Sequence, residues 1–192
     1  MGRVLKTFKV AGHVLGILFL APPPAEVIDS PRSATNRLND TIAPAAAQFF
    51  DAAKAAGWRH VLLGFVNAVA AFRSGRNISR ELTVETLLRM SAQSQIGLAL
   101  KRVGVSSTTK SLGVILVASS ENELDSAVRT MLSHWGVSET GEREPPSEEE
   151  LRNLIHLYSV TDAELEAMQA EDNWRALVNA ILERVAVVDL YR

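Results

Sequence analysis

The sequence predicts an α/β (α+β-like) fold in a single domain, residues 1–192, with a small, mostly antiparallel sheet surrounded by about seven or eight helices. Three observations carry that expectation. Val4–Val10 and His13–Leu20 read as two strands joined at Ala11-Gly12. Leu112–Ala118 is a continuous apolar run, as a central strand would be. Elsewhere apolar residues recur at helical spacing, and strands and helices do not alternate regularly enough for a Rossmann fold.

The first element has a competing reading, because Arg3, Lys6 and Lys9 ahead of the apolar run Val14–Ala21 loosely mimic a secretory signal. The run is too short to span a membrane, and paired strands account for it better. Pro22-Pro23-Pro24 ends this region. Residues 25–43 are mixed and polar, which suggests a short helix within loops. Pro44 suits the first turn of a helix reaching Ala56, with Gly57 as its stop. Leu62, Phe65, Val69 and Phe72 then predict a buried helix over Arg59–Ser74, ended by Gly75.

The next block, Arg73–Val105, is the most informative. Val84, Leu87, Leu88 and Ser91 line one face of a helix, and Glu85 and Arg89 form an i,i+4 pair on another. Ser91–Ser94 breaks that helix and Ser94 is placed to cap the next. In that helix Ile96, Ala99, Leu100 and Val103 are expected to face the core, with Lys101 and Arg102 in its last turn and Gly104 as its C′ residue.

After a polar loop at Thr108–Ser111 and the central strand, three helix starts are written as capping boxes: Ser120 with Glu123, Ser147 with Glu150, Thr161 with Glu164. Residues 136–146 read as a mobile surface loop. Trp174, Leu177, Val178, Ile181, Leu182 and Val185 define the last helix.

Composition narrows the function. The chain has 47% apolar and 22% charged residues and no cysteine, which excludes disulfides, thiolate nucleophiles and cysteine-based zinc sites. The net charge of −2 conceals a polarity: residues 1–118 hold 14 basic and 6 acidic side chains, and residues 119–192 hold 6 and 16. An anionic partner for the front half would explain it; so would attraction between the halves. His13, His60, His134 and His156 have no ligand spacing, so no metal or other cofactor is expected, and each is most simply a surface or core histidine. No phosphate-binding glycine loop or nucleophile elbow occurs. The run Glu148–Glu150 reads as a helix start, and the glycosylation sequon at Asn77 as chance.

What remains is basic. Arg73, Arg76 and Arg80 converge if residues 73–80 form a turn, with Arg89, Lys101 and Arg102 nearby and Asn77 able to add a base or sugar contact. Such a cluster grips phosphates; it also describes an ordinary solvated face. The block holds no aromatic residue, so base stacking would have to come from Phe72 or Trp58. The wide apolar stripe of the last helix either fills the core or docks a partner.

Gly75-Arg76-Asn77-Ile78-Ser79-Arg80, then Glu85, Leu87-Leu88, Ser91, Gln95-Ile96, Ala99 and Gly104-Val105, resembles the TPRKB-like (PRPK-binding) family, the small kinase-associated subunits of the KEOPS (EKC) complex. Thr86 and Met90 depart from the family's pattern, and Pro22–Gly57 matches it poorly. Leu154–Tyr158, the ending with Leu177, Ala180 and Ile181, and the opening strands also resemble it. The resemblance implies a non-catalytic subunit, in the nucleus and cytoplasm and not in a membrane. It would bind the complex's atypical kinase/ATPase, meet the other subunits indirectly, and help recruit tRNA by its 3′ CCA end for threonylcarbamoylation of the adenosine beside the anticodon. Carried onto this chain, the implied tRNA contacts lie in the Arg76–Arg80 turn and the Ser91–Ile96 loop. With the neighbouring cations, the tRNA-binding candidates are Arg73, Arg76, Asn77, Arg80, Ser94, Gln95 and Lys101. The kinase-binding candidates are Leu177, Ile181 and Arg184 of the last helix. A protein adaptor that never touches RNA, and a small enzyme with an unrecognised site, are the two rival readings.

Overall fold

The computed structural model describes residues 5–137, 140 and 146–187. Four strands form one antiparallel sheet in the order β1-β2-β4-β3: β1 (Lys6–Val10), β2 (His13–Leu20), β3 (Ala46–Asp51) and β4 (Leu112–Ala118). Nine α-helices surround it among the described residues.

The first hairpin closes on Ala11 and Gly12 with φ of 49° and 90°, the two positive values that a tight two-residue turn requires. Both sheet faces are covered, which is why β2 and β4 read as continuous apolar runs. Leu15, Ile17, Phe19, Phe50, Ile115 and Val117 point to one core, and Val14, Leu18, Leu20, Phe49, Val114 and Leu116 to the other. The first core lies under α3 (Gly57–Arg73), α4 (Leu82–Met90), α7 (Glu148–Tyr158) and α9 (Asn173–Val187). The second lies under α2 (Pro31–Ile42) and α6 (Glu121–Trp135), with Val27 of α1 (Ala25–Asp29). At Gly113 the sheet has no room for a side chain, because the ring of Phe50 on the paired strand lies where its Cβ would be.

The structure corrects two expectations about the elements. The helix expected from Pro44 to Ala56 is strand β3 followed by a short 3₁₀ turn at Ala52–Lys54, and Gly57 begins α3. Alanines favour a helix locally, but Phe49 and Phe50 are both buried on opposite sheet faces, which only a strand allows. Residues 25–43 hold two helices rather than one short one, with Ala34, Leu38 and Ile42 buried at helical spacing. β3 is an edge strand, and Asn39 of α2 covers part of that edge. Its side chain accepts the Ala47 N–H at 2.7 Å and donates to the Ala47 carbonyl at 3.2 Å.

The capping boxes at Ser147 and Thr161 start α7 and α8 (Asp162–Ala167) with both reciprocal bonds in place. At Ser120 only half forms: its hydroxyl accepts the Glu123 N–H, while the Glu123 carboxylate takes Ser119 instead. Most of the loop expected at 136–146 lies outside the described residues. Thr140 bridges to Phe19 of β2, its N–H donating to the Phe19 carbonyl at 2.9 Å. No helix among the described residues is long and apolar enough to cross a membrane.

Candidate functional site

The turn between α3 and α4 is built from its backbone outward. Gly75 takes φ of +68°, and the Arg76 N–H donates to the Ala71 carbonyl at 2.9 Å, closing α3. Glu85 then reaches up from α4. One carboxylate oxygen accepts the N–H groups of Ile78 and Ser79 at 3.0 and 2.8 Å. The other accepts the Arg89 Nε at 2.8 Å and lies 2.7 Å from its Nη2. Arg89 also donates to the Arg76 carbonyl at 3.3 Å. Both side chains are wholly buried. Arg89, one of the basic candidates, is therefore a brace inside the turn, and the Glu85–Arg89 pair lies in the interior rather than on a helix surface.

Bracing leaves the other arginines outside. Arg73, Arg76 and Arg80 are exposed, and none has a carboxylate partner among the described residues. The Arg76 Nε donates to the Ser74 hydroxyl at 3.0 Å. Asn77 is half-buried and its amide donates to the Ser79 carbonyl at 3.0 Å. By contrast Lys9, Arg37, Lys54, Arg152 and Arg184 all face acids.

Helix α5 (Ile96–Val103) departs from expectation in three ways. Gln95 holds the capping position, with no side-chain cap, so Ser94 does not cap. Leu100 is 45% exposed instead of buried, leaving Ala99 and Val103 as the core contacts. Gly104 closes the helix with φ of −70°, not in the left-handed region; it is needed because a Cβ would overlap the Leu100 carbonyl. Ser94, Gln95 and Lys101 are all exposed at the surface. Arg102 turns inward: it donates to the Ser91 carbonyl at 3.1 Å and its guanidinium lies 5.6 Å from the Tyr158 ring centre.

Leu100 lines a groove of about 680 Å³ between α2, the edge of β3, the start of α4 and α5. Phe49, Val84, Ile96, Leu100 and Val105 supply its apolar surface, and Arg32 and Arg80 its cations; Glu81 is the one acid among the lining residues. Nothing local in the sequence singles out Arg32, since only the fold brings α2 opposite Arg80.

The last helix is corrected too. Leu177 and Ile181 have no exposed surface and belong to the core beneath α9, so neither offers a side chain to a partner. Arg184 remains partly exposed and donates to Glu164 Oε1 at 2.7 Å and the Ser159 carbonyl at 3.0 Å. The Thr161 N–H and hydroxyl, then Arg184, hold the Glu164 carboxyl below its usual range.

Chemistry of the bond-making kind has one conspicuous candidate, His60, and its surroundings make it structural. The ring is fully buried; Nδ1 accepts the Ala56 N–H at 3.2 Å and Nε2 donates to the Met90 carbonyl at 2.6 Å. Burial lowers its pKa to about 4, against the smaller opposing pull of the Met90 bond. Its edge-on neighbour Tyr158 donates to the Lys54 carbonyl at 3.0 Å, and burial pushes the phenol up. No group of three or more possible metal ligands occurs among the described residues.

Compared with known proteins, the chain matches one family model, described as kinase binding protein CGI-121, over residues 28–189. The match takes in most of Pro22–Gly57, the stretch whose individual residues resemble the family poorly. No curated protein matches the chain.

Proposed function

The chain belongs to the CGI-121 family of kinase-binding proteins, and from that premise we propose that it is the non-catalytic small subunit of a KEOPS-type complex. In this reading it binds the complex's atypical kinase/ATPase and meets the remaining subunits through it. It presents the 3′ CCA end of tRNA, so that the catalytic partner can threonylcarbamoylate the adenosine next to the anticodon. Its contribution is proximity rather than bond-making. It works without a cofactor of its own, and the nucleus and cytoplasm are where it acts.

One observation supports the tRNA part above the others. The carboxylate-free guanidinium of Arg80, at the end of the Arg73–Arg80 turn, borders the groove that Leu100 and Ile96 line, with Arg32 across it. A single-stranded nucleotide end offers what such a surface takes: phosphates for Arg76 and Arg80, and base faces for the apolar lining. Ser94 and Gln95, just ahead of α5, and Lys101 in its last turn are exposed as well.

The test is a tRNA titration at two salt concentrations, with and without the CCA end. Arg76→Glu and Arg80→Glu should each weaken binding, loss of CCA should weaken it further, and affinity should fall with salt. No detectable binding by the protein, alone or in the reconstituted complex, leaves the adaptor reading, in which the kinase is the partner and RNA is never touched.

A further inference from the structure

We propose that the outer ridge of α3, centred on Val66 and ended by Arg59 and Arg73, is the face on which the kinase partner docks. This rests on the kinase-binding reading and names the surface for it.

Helix α3 is 17 residues long and buries one side through His60, Val61, Gly64, Phe65, Ala68 and Val69. Rotation by about 100° per residue sets Arg59, Val66, Ala70 and Arg73 on the opposite side, and all four are exposed. Leu62 and Leu63 are half-buried at its margins. Val66 is 39% exposed; the other large exposed apolar residues among the described ones, Ile78, Leu98 and Leu100, belong to the turn and α5.

The ends of the ridge are cationic and unneutralised. Neither Arg59 nor Arg73 has a carboxylate partner among the described residues. At the Arg59 end the guanidinium lies 4.6 Å from the centre of the Trp58 ring, and Phe8 of β1 stacks on that ring at 5.3 Å and 17°. Lys6 stands 5.8 Å from the same ring. The tryptophan is thus held rigidly, with little side-chain freedom left to lose on binding.

An apolar centre, a fixed aromatic at one end and arginines at the rim are the anatomy of a protein interface. They specify a partner surface with an apolar patch opposite Val66 and Ala70 and acids opposite Arg59 and Arg73. RNA fits the ridge less well. Arg59 and Arg73 are about 21 Å apart along the axis, and between them the exposed side has no cation to meet successive phosphates. The ridge is also continuous with the last helix: Asn67 donates to the Val185 carbonyl at 2.9 Å, laying α9 along the flank of α3. The partner surface expected on α9 thus moves to its neighbour, because the apolar stripe of α9 is spent on the core.

The test uses the complex's atypical kinase, co-expressed and then titrated against the purified full chain. Val66→Glu and Ala70→Glu should each weaken kinase binding at least tenfold, and Arg59→Glu should slow association and reduce its salt dependence. Asn179→Arg, on the outward side of α9, should leave affinity unchanged. Unaltered melting temperatures identify these as surface effects. If the ridge variants bind the kinase like wild type while Asn179→Arg does not, the ridge is overturned and the kinase reading survives on α9. If wild type itself does not bind the kinase, both fall. If Val66→Glu instead weakens tRNA binding and spares the kinase, the ridge is an RNA surface and the proposal is wrong.

Discussion

Glu85 and Arg89 stand one helical turn apart on α4 as an ion pair with no exposed surface, and the spare carboxylate oxygen of Glu85 ties down the Ile78 and Ser79 amides. The pair converts a loop between two helices into a rigid bracket from which Arg76 and Arg80 project. Removing one partner leaves a buried charge alone, so Glu85→Ala or Arg89→Ala should cost about 3–5 kcal/mol. The double replacement Glu85→Leu with Arg89→Met should cost less than either single change. Denaturant unfolding of the three variants checks this; equal losses in all three would mean that the pair itself is not the brace.

His60 gives the protein a pH dependence above the carboxylate range. Its pKa is lowered to about 4 in the folded state, from an ordinary value of 6.5. Between those values the unfolded chain binds the extra proton, so stability is full above pH 6.5 and falls as pH drops. The loss should reach about 2 kcal/mol by about pH 5, before the carboxylates titrate. Unfolding free energies across the range from neutral to about pH 5 measure it, and a flat profile would show that water reaches the ring.

Ile181 separates burial from docking. Ile181→Ala should destabilise by about 2–5 kcal/mol, and Ile181→Arg should prevent folding, because the side chain lies in the core under α9. Thermal melts read both. A well-folded Ile181→Arg protein would return that residue to the surface.

Gly113 is where β3 and β4 leave no space. Gly113→Ala pushes a methyl group into the Phe50 ring, and the resulting strain should cost about 1–3 kcal/mol. Pairing it with Phe50→Leu should recover part of that loss, which double-mutant unfolding would reveal.

Apolar periodicity and capping boxes act over a few residues, so the opening hairpin, β4, α3, α4, α6 and α7 to α9 are legible from spacing alone. So is the basic turn, since the order of its residues carries the family resemblance. Contacts between distant segments decide β3, whose alanines favour a helix until β4 supplies a partner and opposite cores take Phe49 and Phe50. They also decide which side chains remain outside. Periodicity shows that a helix has an apolar side but not how many neighbours cover it. Spacing therefore presents the stripe of α9 as surplus when it fills the core, and Arg89 as a surface cation when it meets Glu85 in the interior. The groove between Arg32 and Arg80 and the ridge on α3 lie further still from sequence, because each exists only where distant segments pack together or stop short of doing so.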